Sequence, residues 1–145
     1  MTITVYKWQS LTKVPVRKST DTWSLREGSI NGVPYAPVIQ GNYYESAVQG
    51  FSDWNLDRKC LALRTTVGNG DASETNAVAT VTLSGDATTL YTRSFALTES
   101  ETGTFDLTGV FRLTFSWTAS NPAGGAAAPG GAQAMLAEPE VLCAF

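Results

Sequence analysis

Asn42-Tyr43-Tyr44-Glu45 places two phenol rings beside an amide and a carboxylate, and Asp53, Asp57 and Arg58 follow close behind. This is the chemistry of sugar recognition. Hydroxyls of a sugar want a few fixed carboxylate, amide and guanidinium groups, set next to an aromatic plane that covers the C–H face of the ring. Trp23 supplies a further plane. It lies in a polar stretch, residues 19–27, and is expected to be exposed. The candidate ligand-binding set is therefore Trp23, Tyr43, Tyr44, Asp53 and Arg58. The other three tryptophans read as scaffold: Trp117 in a core strand, Trp54 as a plug above the strand it precedes, and Trp8 packed at an edge strand.

Residues that would carry catalysis are missing. The chain has no histidine, which removes the commonest general base, the commonest transition-metal ligand and the usual nucleophilic triad. Its two cysteines, Cys60 and Cys143, are too few and too far apart for a cysteine/histidine zinc site. Asn69, Asp71, Glu74 and Asp86 offer oxygen atoms without calcium-loop spacing, and Asn69 and Asp71 read as turn residues. Glu99 and Glu101 sit on one expected loop and have no defined separation for a carboxylate pair. A non-enzyme with no metal and no cofactor is expected.

Net charge is −3, with ten Lys plus Arg against 13 Asp plus Glu. That balance argues against nucleic acid and against an acidic membrane surface. No apolar run approaches the roughly eighteen residues of a membrane span. Residues 1–16 lack the charged start, apolar block and cleavage site of a signal peptide. Cytoplasmic synthesis is expected, with release by lysis or inside a larger particle, unless a leader has been removed.

The elements that must position the candidates read as strands throughout. Residues 2–8 alternate as an edge strand, and the turn Gly28-Ser29-Ile30-Asn31-Gly32 leads into a short extended piece at residues 33–39, punctuated by Pro34 and Pro37. Residues 54–68 run from a polar turn, Asn55 to Lys59, into a strand with Leu61, Leu63 and Val67 on one face; Asn69-Gly70-Asp71 then turns the chain. Residues 77–83 and 90–95 form a hairpin about Ser84-Gly85-Asp86-Ala87. Residues 104–107 make another strand. Phe111, Leu113, Phe115 and Trp117 share one face of a core strand, and burial of each is worth roughly 1.5–3 kcal/mol. A last strand covers residues 140–145. Residues 120–131, rich in Gly, Ala and Pro, read as a long flexible loop. Alternation sets Cys60 opposite Leu61 and Leu63 while Cys143 shares a face with Val141 and Phe145, so the thiols are expected to point apart and stay free.

Taken in order, these pieces resemble the novel putative carbohydrate-binding module family. Ile30-Asn31-Gly32-Val33-Pro34-Tyr35 is similar to that family's opening Ile-x-Gly-x-x-Tyr segment. Trp54-Asn55-Leu56 looks like its aromatic-x-Leu step, and Val67-Gly68 with Asp71 looks like the Val/Ile-Gly and acidic turn that follow. Ser84-Gly85-Asp86-Ala87-Thr88-Thr89-Leu90-Tyr91 is similar to its Gly-Asp-Gly turn and Leu-Tyr, with Ala87 in place of the second glycine. Leu107-Thr108-Gly109-Val110-Phe111-Arg112-Leu113 resembles its Val-x-Gly-Val-x-x-Leu step, and Ala137-Glu138-Pro139-Glu140-Val141 its closing strand. The His-Ala pair common before the Trp54 position is replaced by Tyr44-Glu45-Ser46-Ala47-Val48-Gln49-Gly50-Phe51. The resemblance covers Gly28 to the C-terminus. It implies an all-β antiparallel sandwich of jelly-roll, galactose-binding-like form, with sugar contacts on loops at one end.

The expectation is one domain over residues 1–145: a non-catalytic module for a glycan or cell-surface polysaccharide. A single shallow site binds weakly, which favours display in many copies on an assembly such as a phage virion. Two alternatives stand beside it. One is a decoration or cementing protein held by capsid or tail proteins without a sugar ligand. The other is an accessory domain of a secreted glycoside hydrolase.

Overall fold

A strand with small or polar residues on one side and bulky apolar residues on the other must lie between a core and solvent, and this chain repeats that pattern. The computed structural model describes residues 2–41, 48–121 and 131–145. Along it run β1 (Lys7–Ser10), a single 3-10 turn (Leu11–Lys13), β2 (Lys18–Thr20), β3 (Thr22–Leu25), β4 (Gly28–Ile30), β5 (Val33–Tyr35) and β6 (Val38–Gly41). Then come β7 (Gln49–Asn55), β8 (Cys60–Asn69), β9 (Val78–Gly85), β10 (Thr88–Phe95), β11 (Ser100–Asp106), β12 (Arg112–Ser120) and β13 (Ala134–Cys143). One sheet has the order β11-β8-β13-β6-β3, with β1 also paired to β13. The other is β10-β9-β12-β7-β2, and the hairpin β4-β5 stands apart. Every pairing is antiparallel. The result is an all-β sandwich of jelly-roll, galactose-binding-like topology.

The core fills the space between the sheets. Leu113, Phe115 and Trp117 of β12 meet Trp54, Leu63, Val67, Val81, Leu83, Leu136 and Val141, all buried. Trp117 is the largest constraint here. Its indole N–H donates to Thr22 Oγ1 at 3.0 Å, joining the two sheets. Its ring lies flat against the backbone of two glycines. A Cβ at Gly50 would fall 2.6 Å from the Thr20 carbonyl oxygen and 2.8 Å from Trp117 Nε1, and one at Gly41 would enter the ring. A smaller cluster of Ile30, Val38, Met135 and Ala137 sits under the β4-β5 hairpin, on the outer face of the first sheet. Asp71 pins that hairpin by accepting the Asn31 and Gly32 amides at 2.6 and 2.9 Å.

Four expectations are corrected. The edge strand is Lys7–Ser10, because Lys7 already pairs with Cys143 at the end of β13 and no partner extends further. Phe111 leaves the core row: Asp86 accepts both the Phe111 and Arg112 amides, at 3.1 and 2.9 Å, and the chain turns there before β12 begins. The thiols are bonded. Between β8 and β13 the register jumps from Leu142↔Ala62 to Cys143↔Cys60, so Leu61 is an unpaired bulge residue. One extra residue inverts the alternation upstream of it. Cys60 therefore joins Leu63 in the core and lies opposite Cys143, with Cα atoms 4.0 Å apart in a disulfide that spans 83 residues. The strand pairing expected of residues 140–145 likewise ends at Cys143 and begins earlier, at Ala134.

Removing the disulfide with a Cys60→Ala/Cys143→Ala pair is expected to cost about 2–5 kcal/mol in urea unfolding, since the cross-link closes a long loop. An unchanged midpoint would show that β8 and β13 hold together without it. A second expectation concerns acid. Burial pushes the Asp71 carboxyl up, but hydrogen bonds from Gly32, Ser29 and Asn31 together leave it below its ordinary value of 3.8. A carboxyl depressed in the folded state stabilises fully above its unfolded pKa and loses that contribution as pH falls through the folded one. Asp71→Asn should lower stability at neutral pH and flatten the decline below about pH 4. Parallel pH profiles of variant and parent would refute this.

Candidate functional site

Three strands of the second sheet turn a polar face outward, and its composition follows from what they bury. On β12 the inward row Leu113, Phe115, Trp117 leaves Thr114, Ser116 and Thr118 outside; on β9 the inward Ala79, Val81, Leu83 leave Thr80 and Thr82 outside. On β7 the inward row is Gly50, Ser52, Trp54, so Phe51 and Asp53 emerge on the same outer face. Antiparallel register aligns these across the sheet: Thr82, Ser116, Phe51 and Thr20 in one row, and Thr80, Thr118 and Gln49 in the next. Thr92 and Ser94 of β10 extend the rows through hydroxyl hydrogen bonds to Thr82 and Thr80, at 3.0 and 2.7 Å. The residues of β9, β12 and β7 floor an open groove of about 590 Å³, with Arg17, Lys18 and Asp53 at its β2 side.

Asp53 is only 4% exposed. Arg17 closes on it with a fork, Nε to Oδ1 at 2.8 Å and Nη2 to Oδ2 at 2.6 Å, and the Arg17 amide also donates to the Asp53 carbonyl at 2.9 Å. The Asp53 hydrogen bond is the chief reason the Arg17 pKa is raised above its already high ordinary value. A bidentate pair of this kind fixes both side chains in orientation. Asp53 is therefore satisfied from within. Arg17, about a third exposed, lines the groove beside it.

The expected site residues do not converge. Asp53 lines the groove. Trp23 is 57% exposed, as its polar surroundings suggested, but it stands on the outer face of the other sheet, opposite Gln40 on β6. Arg58 sits in the β7-β8 turn with positive φ, its guanidinium 5.3 Å from the Phe111 ring centre. Tyr43, Tyr44 and most of the 120–131 loop lie outside the described residues. Sequence reading missed Phe51, Arg17 and the hydroxyl rows. A signal was there: treating residues 49–55 as a strand separates Phe51 and Asp53 from Trp54 by parity alone.

Other clusters are committed to structure. Asn69 donates to Ala77 and Phe95 carbonyls and accepts from Ser73 and the Gln133 amide. Asp71 and Asp86 accept backbone amides. Glu99 accepts the Ala96 amide at 2.6 Å, and Glu101 takes Tyr91 at 2.5 Å and Arg93 at 3.2 Å. Burial, reinforced by Glu101, pushes the Tyr91 hydroxyl up to about 12, so it stays protonated. Among the described residues, no group of three or more His, Cys, Asp or Glu could hold a metal ion.

No protein-family model matches this chain, and no curated protein matches it in sequence. Solved structures do match its fold. The M60 catalytic domain with the CBM51-1 and CBM51-2 domains of Clostridium perfringens ZmpB is similar over 97% of this chain and 16% of that one, with TM-score 0.70 and 9% identity. CBM51-2 of ZmpB in complex with GlcNAc, with its INT domains, is similar over 94% and 32%, with TM-score 0.68 and 11% identity. CBM51 from Clostridium perfringens GH95, in complex with methyl-galactose, is similar over 93% of this chain and 99% of that one, with TM-score 0.65 and 10% identity. At these identities the likeness is one of fold: a carbohydrate-binding-module-like sandwich.

The Arg17–Asp53 fork should act as a coupled pair. In a double-mutant cycle, Arg17→Ala is expected to destabilise more than Lys18→Ala, because it strands a nearly closed carboxylate. Adding Asp53→Ala should recover part of that loss. Strict additivity of the two single changes in urea unfolding would contradict the coupling.

Proposed function

We propose that this chain is a non-catalytic binding module for carbohydrate or a cell-surface polymer, of the novel putative carbohydrate-binding module type, and that it binds on the groove of the second sheet. One observation carries this reading. Phe51 is an aromatic ring on an otherwise polar outer face, flanked by Thr20 and Ser116 in register and backed by an oriented Arg17. An apolar plane covers the C–H face of a sugar ring, while hydroxyls and a fixed guanidinium meet its edge. The fold is the one that the methyl-galactose and GlcNAc complexes share, which favours the same general role. A buried disulfide suits work in an oxidising setting.

The open groove buries little of a ligand, so avidity from many copies, as on a capsid or tail, is part of this proposal. A structural decoration role is the second reading. It is favoured by Ile3 and Val5, 78% and 63% exposed, near the start of the chain, and by exposed Val16 and Phe145. The third, an accessory module of a secreted hydrolase, draws on the similar ZmpB sandwich being one part of a longer chain.

Affinity electrophoresis against a panel of polysaccharides tests the leading reading. Phe51→Ala should weaken binding about tenfold, roughly the 1.4 kcal/mol that one stacked ring supplies. Trp23→Ala should leave it unchanged. Loss of binding through Trp23→Ala with Phe51→Ala neutral would move the site to the other sheet. Silence with every polysaccharide, together with tight binding to a shell or tail protein, would replace sugar recognition with decoration.

A further inference from the structure

We infer that the groove takes a linear, anionic glycan laid across the strands, rather than a single terminal sugar; this rests on the sugar-binding reading above. Length is the first argument. The row Thr82, Ser116, Phe51, Thr20 crosses four strands, β9, β12, β7 and β2. At a strand spacing of about 4.8 Å it spans roughly 14 Å, longer than one ring. A second cavity lies beside this one. It has a volume of about 500 Å³, is lined by Lys13, Val14, Asn55, Asp57 and Phe145 among others, and shares Arg17 with the first. A floor longer than one ring, with a second groove on the other side of Arg17, suits several linked rings better than one terminal sugar.

Charge is the second argument. In a molecule of net charge −3, three cations line these grooves: Lys18 the first, Lys13 the second and Arg17 both. The side-chain carboxylates lining them are Asp53 and Asp57, so cationic side chains outnumber acidic ones by three to two. Asp53 has both oxygens closed by Arg17. Among the described residues neither Lys13 nor Lys18 forms an ion pair. Beyond these cations the floor is uncharged, made of Thr and Ser hydroxyls, the Gln49 amide and the Phe51 ring. A polymer with periodic acid groups satisfies both parts: an acid at the lysines, and hydroxyl-bearing rings over Phe51 and the threonines. Its acid is a carboxylate or a phosphodiester, since either pairs with lysine.

Titration calorimetry of the whole chain with polygalacturonate, a phosphodiester-linked wall polymer, neutral dextran and single-stranded DNA decides the point. One of the two acidic glycans should bind, and which one does identifies the acid. Its affinity should fall several-fold between about 0.05 and 0.5 M salt, where screening shortens from ~14 to ~4 Å. Lys13→Glu/Lys18→Glu should weaken it about tenfold with the fold intact by circular dichroism. Dextran binding as tightly, unaffected by salt or by the lysine variant, would overturn the anionic assignment and leave sugar recognition standing. DNA binding as tightly as the glycan would overturn it too, because charge alone would then suffice. Silence with all four, joined by silence across neutral polysaccharides, would fell the sugar-binding reading itself.

Discussion

Strand β12 can point each side chain only one way, and both the core and the groove depend on that division. Leu113, Phe115 and Trp117 fill the sandwich, while Thr114, Ser116 and Thr118 floor the outer face. A one-residue slip in its pairing would exchange the two sets. The register is held by β9 on one side and β7 on the other, and by the indole of Trp117 reaching Thr22 across the core. The same indole forbids a side chain at Gly41 and Gly50. Gly50 leaves β7 free to lie close, and its neighbour Phe51 is carried to the outer face. One of the two core tryptophans thus sets where the groove's aromatic ring stands.

The Arg17–Asp53 pair completes the site at its edge. A carboxylate on the groove wall would repel an acidic ligand and attract water. Closed by a fork of two hydrogen bonds, it serves instead to hold a guanidinium in place. The pair also ties the segment before β2 to β7 through the Arg17 amide, so the basic cluster stands on a fixed backbone. Electrostatics of this local kind can run against the sign of the whole molecule, because screening confines it to roughly a Debye length.

Much of the architecture was legible in the sequence, because β9 and β12 alternate plainly and their inward residues are large and apolar. β7 was not. Its inward residues include Gly50, hemmed by Trp117 and the Thr20 carbonyl, and Ser52, paired with the Ser19 hydroxyl, all distant in sequence and unreadable from local pattern. Cys60 was misplaced for a different reason: no residue type marks Leu61 as a bulge, and without the bulge parity puts the thiol outside. Trp23 was read correctly as exposed, yet exposure carries no address, and it faces away from Asp53 on the opposite sheet. The resemblance placed sugar contacts on loop ends. The proposal made from side chains puts them on a sheet face, where aromatic, hydroxyl and cation come together.

Those two placements part cleanly under one measurement. Backbone amide chemical shifts of the isotope-labelled chain, followed while a binding glycan is titrated to saturation, map the contact surface residue by residue. The largest changes are expected at Phe51, Ser116, Thr82 and Lys18, with Trp23 and the β4-β5 hairpin unmoved. Changes centred on Trp23 or Arg58, with Phe51 and Ser116 still, would contradict the sheet-face placement.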